Sequence, residues 1–275
     1  MTEYYYNKGN FVIENYNHKK PFSNFLPGIA GKMGIPLWAF YVNRGQGIAS
    51  FGLQDKNHPI LPFTPANKAY EYAPISGFRT FIKVNGEVYE PFKVDSKNPH
   101  SMSINQSSFT ITDINERLGL KTEVNYYGLP NSPIAGLVRQ VRVTNLSTKK
   151  LDLEILDGLS EILASGIQNE AFKAVSNVLA SWMDVQYLEN NLAYYTLRSS
   201  TGDSSEVGKV EDGNFYLGVL NSKRVRPIVD LELVFGQNTA KTTPMRFEET
   251  SLKDLMAMPQ VTTNRIPCGF IPVVQ

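Results

Sequence analysis

Apolar and polar residues alternate along much of this chain, as expected of β-strands that bury one face. Two apolar segments, 37–42 and 47–51, flank the polar turn 43–46, in which a glycine supplies an unusual backbone angle. A second pair of alternating segments, 77–84 and 87–94, flanks Asn85-Gly86, a strong hairpin signal. The pattern therefore predicts a chain built largely from hairpins.

The same alternation predicts further strands along the chain. They are expected at 11–13, 107–114, 118–127, 134–145, 151–156, 185–188, 192–198, 214–219 and 228–235. The apolar period changes over 167–184 and predicts an amphipathic helix there. Its expected buried face consists of Ala171, Val175, Val178, Leu179 and Trp182. A short helix is expected over 250–257, with Thr250 or Ser251 as its N-cap.

Two segments are predicted to be loops. Prolines at 59, 62, 65 and 74 predict a stiff, irregular connection between Gly52 and Gly77. The run 199–205 is rich in Ser, Thr, Gly and Asp and predicts a polar loop.

Many short strands and few helices predict an all-β, mainly antiparallel fold, a large two-sheet sandwich with one or two short helices. No linker or shift in composition divides the chain, so residues 1–275 are predicted to form a single domain. The apolar, proline-punctuated run 266–275 is expected either to pack against this domain or to lead into more protein.

Charge and cysteine content narrow the possible partners and compartment. The net charge is +1, which gives no electrostatic basis for binding nucleic acid or an anionic membrane. Cys268 is the only cysteine, so an intrachain disulfide is excluded and a reducing compartment is favoured. The chain shows no signal peptide and no apolar run that could span a bilayer, so a cytoplasmic location is predicted.

Metal and nucleophile chemistry have little support in the sequence. His18, His58 and His100 lack the spacing of metal ligands, and Cys268 has no visible catalytic partner. No metal site and no catalytic residue are predicted. The carboxylates weighed as an acid–base pair, none of which stands out, are Asp55, Glu71, Glu87, Asp157, Glu161 and Glu170.

A concentration of polar side chains around Trp38 is the strongest candidate for binding. Sugar recognition uses an aromatic ring against the sugar and planar polar groups toward its hydroxyls. The residues that supply these types are Trp38, Asn43, Arg44, Gln46, Asn67, Lys68 and Arg79. The alternative interpretation is that Trp38 and Trp182 are core residues and the polar groups connect loops.

Several segments of this region carry a resemblance to a known family. They are 34–46 (GIPLWAFYVNRGQ), 48–52 (IASFG), 63–70 (FTPANKAY) and 77–81 (GFRTF), with 195–205 and 213–216 further along. Together they resemble the N-terminal β-sandwich domain of glycoside phosphorylases of glycoside hydrolase family 94, closest to the β-1,2-oligoglucan phosphorylase type.

The resemblance implies a galactose-mutarotase-like sandwich, followed in the family by linker helices and an (α/α)₆ barrel. That barrel carries the general-acid Asp and the phosphate-binding residues. Such enzymes cleave β-glucans with inorganic phosphate as co-substrate and release α-glucose 1-phosphate without a cofactor. The implied partners are a β-glucan oligosaccharide and the C-terminal catalytic barrel of the same polypeptide. The chain is then expected to be a non-catalytic N-terminal fragment, inactive alone.

The resemblance also implies that this domain can lend loops to the substrate cleft of the barrel. The candidate loops are the turn at Arg44 and the proline-rich connection 55–70. The predicted substrate-binding residues are then Asn43, Arg44, Gln46, Asp55, Asn67, Lys68 and Arg79.

Two other functions stay open. A stand-alone carbohydrate-binding module needs an exposed aromatic platform, and full burial of Trp38 and Trp182 would count against it. A mutarotase-like epimerase needs His and Glu as acid and base. The scattered histidines disfavour it, whereas two histidines converging on a carboxylate would favour it.

Overall fold

A computed structural model describes residues 3–200, 208 and 210–275 of the chain. Residues 201–205 of the predicted polar loop, which also belong to a segment carrying the family resemblance, lie outside the described residues. Backbone contacts divide the chain into two compact units. Unit 1 comprises Met1–Gln54, Thr64–Gly77 and Glu90–Leu151; unit 2 comprises Asp55–Phe63, Phe78–Tyr89 and Asp152–Gln275. The single-domain assignment for residues 1–275 stays a prediction.

The described residues form many short strands and five α-helices. The strands are β1 (Tyr4–Asn7), β2 (Asn10–Glu14), β3 (Ser23–Leu26), β4 (Leu37–Val42), β5 (Ile48–Leu53), β6 (Pro59–Leu61), β7 (Phe78–Val84), β8 (Glu87–Tyr89), β9 (His100–Ile104), β10 (Ser108–Asn115), β11 (Leu120–Gly128), β12 (Leu137–Asn145), β13 (Leu153–Leu159), β14 (Met183–Gln186), β15 (Ala193–Leu197), β16 (Asn214–Tyr216), β17 (Gly218–Leu220), β18 (Lys223–Val225) and β19 (Gly269–Val274). The helices are α1 (Ala66–Ser76), α2 (Asn169–Ala180), α3 (Glu232–Phe235), α4 (Met245–Glu249) and α5 (Leu252–Ala257).

Unit 1 contains two antiparallel layers. Six strands form one sheet in the order β1-β2-β9-β10-β11-β12. In the second layer β4 lies between β3 and β5. The layers meet through a column of rings, because Phe109 of β10 stacks on Tyr41 of β4 at 4.6 Å and on Tyr126 of β11 at 4.8 Å between ring centroids. This packing of two sheets through large apolar rings is sandwich architecture.

Helix α1 occupies the connection that the prolines predicted to be irregular, so that prediction is wrong over Ala66–Ser76. Pro65 is the N-cap of α1 and lacks only an N–H that no helical bond would use. Pro74 lies near the C-terminal end of α1, where it removes one helical hydrogen bond. Ala69 and Ala73 of α1 are buried against Phe40 of β4, and this packing stabilises the helix.

Unit 2 is built around the antiparallel sheet β19-β13-β7-β8. The hairpin of β7 and β8 is confirmed, and its turn residues Asn85 and Gly86 have φ of 50° and 88°, as a type I′ turn requires. The C-terminal run packs in this sheet as β19. Below the sheet lies a cluster of buried residues that includes Phe81, Phe235 and Phe270.

The strand predicted over 228–235 in unit 2 needs correction. Residues 228–235 do not form a strand: Ile228 makes a single bridge to Phe270, and Glu232–Phe235 is the short helix α3. Asp230 favours the helix because its Oδ1 accepts a hydrogen bond from the N–H of Glu232 at 3.2 Å.

The predicted helix over 167–184 is present as α2, but its buried face differs from the expected one. Phe172 and Leu179 are buried, whereas Val178 and Trp182 are 59% and 41% exposed. Val175 has non-helical angles (φ −140°, ψ 41°), so the turn interrupts the regular spacing on which the prediction depended. Trp182 is therefore not a core residue.

The fold-class prediction, an all-β and mainly antiparallel sandwich, is confirmed, although the described strands form several sheets rather than two. The described residues carry five α-helices rather than the one or two expected. The C-terminal helix prediction is also confirmed, since Ser251 caps α5 by accepting from the N–H of Asp254 at 3.1 Å.

Candidate functional site

The turn between β4 and β5 packs against α1 in unit 1. Gly45 of the turn has φ of 55°, and a Cβ there would lie 2.9 Å from the Cα of Pro74. The guanidinium of Arg44 lies 5.8 Å from the ring centroid of Tyr70 on the same helix. We call residues 43–46 together with Ala66–Ser76 the turn–helix site. It contains the predicted residues Asn43, Arg44, Gln46, Asn67 and Lys68.

Asn43 is fully buried at the base of this turn. Its Nδ2 donates to the carbonyls of Tyr16 and Lys20 at 3.0 and 2.9 Å, and its Oδ1 accepts from the N–H of Phe22 at 2.8 Å. These three bonds attach segment 16–22 to the turn. Asn43 therefore does not contact a ligand itself; it holds the turn in position.

Arg44 is half-buried, and its side chain also forms hydrogen bonds with the backbone. Its guanidinium donates to the carbonyl oxygens of Lys19 at 2.9 Å and Asn43 at 2.6 Å. Burial lowers the pKa of Arg44, and the nearby Tyr70 opposes that shift. One edge of the guanidinium is thus occupied by the fold, while the side chain keeps partial access to solvent.

Gln46 is buried, and its Oε1 accepts a hydrogen bond from Arg139. Arg139 also donates to the hydroxyl of Tyr126, so Gln46 belongs to a network that reaches the ring column. Gln46 therefore bonds other residues in the interior of unit 1 and does not face solvent.

The first turn of α1 presents the exposed part of the turn–helix site. Asn67 and Lys68 are both exposed, and Lys68 Nζ lies 3.7 Å from a carboxylate oxygen of Glu71. An exposed ion pair of this kind contributes little to stability. These two residues are the members of the site that are placed to meet a ligand.

Trp38 lies beneath the same helix. Its side chain is half-buried, packs against the cluster formed by Phe40, Ala69 and Ala73, and donates from Nε1 to the carbonyl of Leu53 at 3.2 Å. The expectation that Trp38 is largely structural fits these contacts.

The other two predicted residues belong to unit 2. Asp55 is exposed, and its pKa is lowered first by the backbone N–H of Asn57, 2.7 Å away, and then by His58. Arg79 is 4% exposed. It donates to the carbonyls of Lys241 and Thr242, and its guanidinium lies 4.7 Å from the ring centroid of Phe81. Arg79 is therefore a cation of the core.

Among the weighed carboxylates, Glu161 has the most unusual environment. It is largely buried, and burial raises its pKa, although Lys241 at 3.7 Å opposes the shift. Asp157 accepts from the hydroxyl of Thr80 at 2.6 Å. Glu170 is exposed and lies 3.5 Å from Lys56. An acid of raised pKa alone does not define a glycosidase pair.

Two of the histidines converge in unit 1, which their distant sequence positions did not reveal. The rings of His18 and His100 are 5.4 Å apart, and Asp113 pairs with His100 across β9 and β10. His100 is buried; its Nδ1 bonds the carbonyl of Asn98 at 2.8 Å and its Nε2 accepts from the N–H of Asn17 at 3.3 Å. With both ring nitrogens used by the backbone, His100 is built as a neutral structural group. The register of the β9–β10 hairpin places Asp113 opposite His100, whereas no sequence signal brings His18 to this position.

Protonation of His100 is expected to destabilise unit 1. Burial is the main cause of its lowered pKa, with Asn98, Asp113 and Glu14 opposing it and His18 adding to it. Since the unfolded chain then binds the proton more tightly, the free energy of unfolding should fall as pH drops from about 6.5 toward the folded-state pKa. Urea denaturation between pH 7.5 and 5.5 measures this slope.

The matched control for the pH experiment is His58→Gln, because His58 is an exposed histidine. His100→Gln should remove the slope between pH 7.5 and 5.5 and His58→Gln should keep it. An unchanged slope in His100→Gln would show that another group titrates.

The part of the chain that the structure describes contains no cluster of metal ligands and no exposed thiol. No group of three or more His, Cys, Asp or Glu side chains is placed to hold a metal ion among residues 3–200, 208 and 210–275. Cys268 is fully buried, with burial raising its pKa, and its Sγ lies 3.6 Å from the carbonyl of Ile228. Cys268 is thus a buried small side chain, as the sequence predicts.

Comparison with known proteins adds no relative. No family model and no curated protein matches the chain. None of the helices over the described residues is long and apolar enough to cross a membrane.

Proposed function

We propose that this chain is the non-catalytic N-terminal domain of a cytoplasmic glycoside phosphorylase that cleaves β-glucans with inorganic phosphate. The segments that resemble glycoside hydrolase family 94 fall on β4, β5, α1 and the start of β7. Its role is to scaffold an (α/α)₆ catalytic barrel and to lend an exposed loop to the substrate cleft. The lone, buried Cys268 agrees with a reducing cytoplasm.

The arrangement of the turn–helix site is the observation that carries this proposal. Asn43, Arg44 and Gln46 use their polar atoms on backbone carbonyls, a backbone N–H and Arg139, as a scaffold does. Asn67 and Lys68 stay exposed at the first turn of α1, as a cleft-wall contribution requires. Catalysis itself is assigned to the barrel, which supplies the acid and the phosphate site.

The reading frame that encodes the chain tests this proposal. It should continue for several hundred residues and encode an α-helical barrel, and its full product should release α-glucose 1-phosphate from β-1,2-linked glucooligosaccharides and inorganic phosphate. The present chain alone should release none. A natural stop after Gln275, or phosphorolysis by the chain alone, would overturn the proposal.

A stand-alone carbohydrate-binding module is the second candidate function. Trp182 is 41% exposed and Trp38 is half-buried, so the full burial that would argue against a module is not found. A mutarotase-like epimerase gains less support, because His100, the buried member of the histidine pair, has both ring nitrogens bonded to the backbone.

A further inference from the structure

Two aromatic side chains lie on the outer face of the sheet formed by β14, β15 and β16 in unit 2, and a third lies just beyond the end of β14. Tyr194 of β15 pairs with Phe215 of β16, and the ring centroids of Tyr187 and Tyr194 are 5.7 Å apart. Tyr187 is 48% exposed and Phe215 38%, with Tyr194 half-buried between them. We call these three side chains the aromatic face.

Strand alternation directs these rings outward. Tyr195 and Asn214, the neighbours of Tyr194 and Phe215 along the chain, are buried on the opposite side of the sheet. The hydroxyl of Tyr195 donates to the carbonyl of Cys268 at 2.8 Å, which fixes this orientation.

Local packing fixes the ring of Tyr194 on the surface. A Cβ at Gly213 would lie 2.3 Å from the ring carbon that carries the hydroxyl, so a glycine is needed where the ring crosses the backbone. The hydroxyl of Tyr194 donates to the carbonyl of Glu211 at 2.8 Å. The ring therefore has a defined position before any ligand arrives, which reduces the entropy lost on binding.

Tyr187 has an unfavourable backbone conformation for a bulky residue. Its φ of 64° and ψ of 22° lie in the left-handed region, where Asn and Gly are more stable. The ring is largely exposed, so burial in the core does not explain why a tyrosine occupies the position. A bulky residue in a rare conformation with an exposed ring is a candidate for a functional contact.

The surroundings of the aromatic face are polar and acidic. Gln186 pairs with Tyr194 in the sheet, and Glu189 and Asn190 follow Tyr187. Burial, and after it the nearby Asp212, raises the pKa of Tyr194. Carboxylates and amides accept hydrogen bonds from hydroxyls, and aromatic rings pack on the C–H faces of a sugar. The negative rim disfavours an acidic ligand.

We propose that the aromatic face is a binding surface for a neutral hexose oligosaccharide. The rings contact the C–H faces of the sugar, and the rim side chains bond its hydroxyls. This surface is separate in its residues from the turn–helix site. The proposal does not depend on the phosphorylase assignment.

Isothermal titration with laminarihexaose, cellohexaose and β-1,2-linked glucohexaose tests the proposal. The chain should bind at least one of them, and Tyr187→Asn and Phe215→Ala should each weaken that binding by about tenfold or more, as expected for the loss of a stacked ring. Tyr187→Phe keeps the ring and should stay within about threefold of the parent chain.

Thermal unfolding separates loss of binding from loss of fold. Because Asn tolerates the left-handed backbone, Tyr187→Asn should unfold at a higher temperature than the parent chain while binding sugar more weakly. A residue kept for structure alone would not combine a stability gain with an affinity loss.

Tyr6→Ala is the matched control, since Tyr6 is an 80% exposed tyrosine on β1 in unit 1, and it should leave the affinity unchanged. Three results would overturn the proposal. They are no binding of any of the three hexaoses by the parent chain, equal affinities for Tyr187→Asn and the parent chain, and self-association of the parent chain in sedimentation that Tyr187→Asn abolishes.

Discussion

Replacing Phe109 by alanine is expected to lower the free energy of unfolding by roughly 3–5 kcal/mol, the largest effect of any single truncation discussed above. Phe109 is fully buried and stacks on both Tyr41 and Tyr126. Truncation removes the ring contacts and leaves a cavity between the two layers of unit 1. Urea denaturation at pH 7.5 measures the change, followed by tryptophan fluorescence with Trp182 replaced by phenylalanine in both chains, so that Trp38 of unit 1 is the reporter.

The matched control is Phe25→Ala. Phe25 lies on β3, where its ring is 48% exposed and 5.0 Å from that of Phe40, so its truncation should lower the free energy of unfolding by less than about 1.5 kcal/mol. Similar losses in the two variants would show that the ring column does not organise unit 1.

Asn43→Ala is expected to lower the free energy of unfolding by about 3 kcal/mol, although Asn43 was predicted to bind substrate. The substitution leaves the N–H of Phe22 and the carbonyls of Tyr16 and Lys20 without this partner. A buried polar group left unpaired costs about 1–3 kcal/mol, and entering water recovers part of the total. Chemical denaturation gives the value directly.

Asn67→Ala is the control for Asn43→Ala, because it removes the same amide from the exposed first turn of α1. Its free energy of unfolding should stay within about 0.5 kcal/mol of the parent chain. If both asparagines proved equally dispensable, the structural role assigned to the Asn43 amide would be wrong.

Local signals predicted much of the fold. Asn85-Gly86 allowed the β7–β8 hairpin to be placed because its turn conformation depends on those two residues alone. Helix α1 was missed because its stability comes from burying Ala69 and Ala73 against β4, a contact between distant segments. The short helix α3 was missed because periodicity alone does not distinguish a strand from a buried helix in a short apolar run.

The candidate residues were harder to interpret than the elements that carry them. Sequence showed that Arg79 and Asn43 were polar but not where their side chains point. Arg79 donates to the carbonyls of Lys241 and Thr242, far along the chain, and Asn43 to the segment before β3. Such partners are set by tertiary packing, so composition alone could not separate a ligand-binding amide from one that holds a loop.

Strand β7 also bears on how the chain folds during synthesis. Its seven residues are all buried, yet its neighbour β13 lies in the C-terminal half of the sequence, beyond the whole 90–151 part of unit 1. The ribosome therefore releases a strand that the folded protein buries completely, including Phe78, Phe81 and Ile82, long before its central partner exists. Pairing of this non-local kind is slow. Until β13 emerges, the short β8 can cover only one edge of Phe78–Val84. This segment is where a nascent chain would need protection from association with other chains.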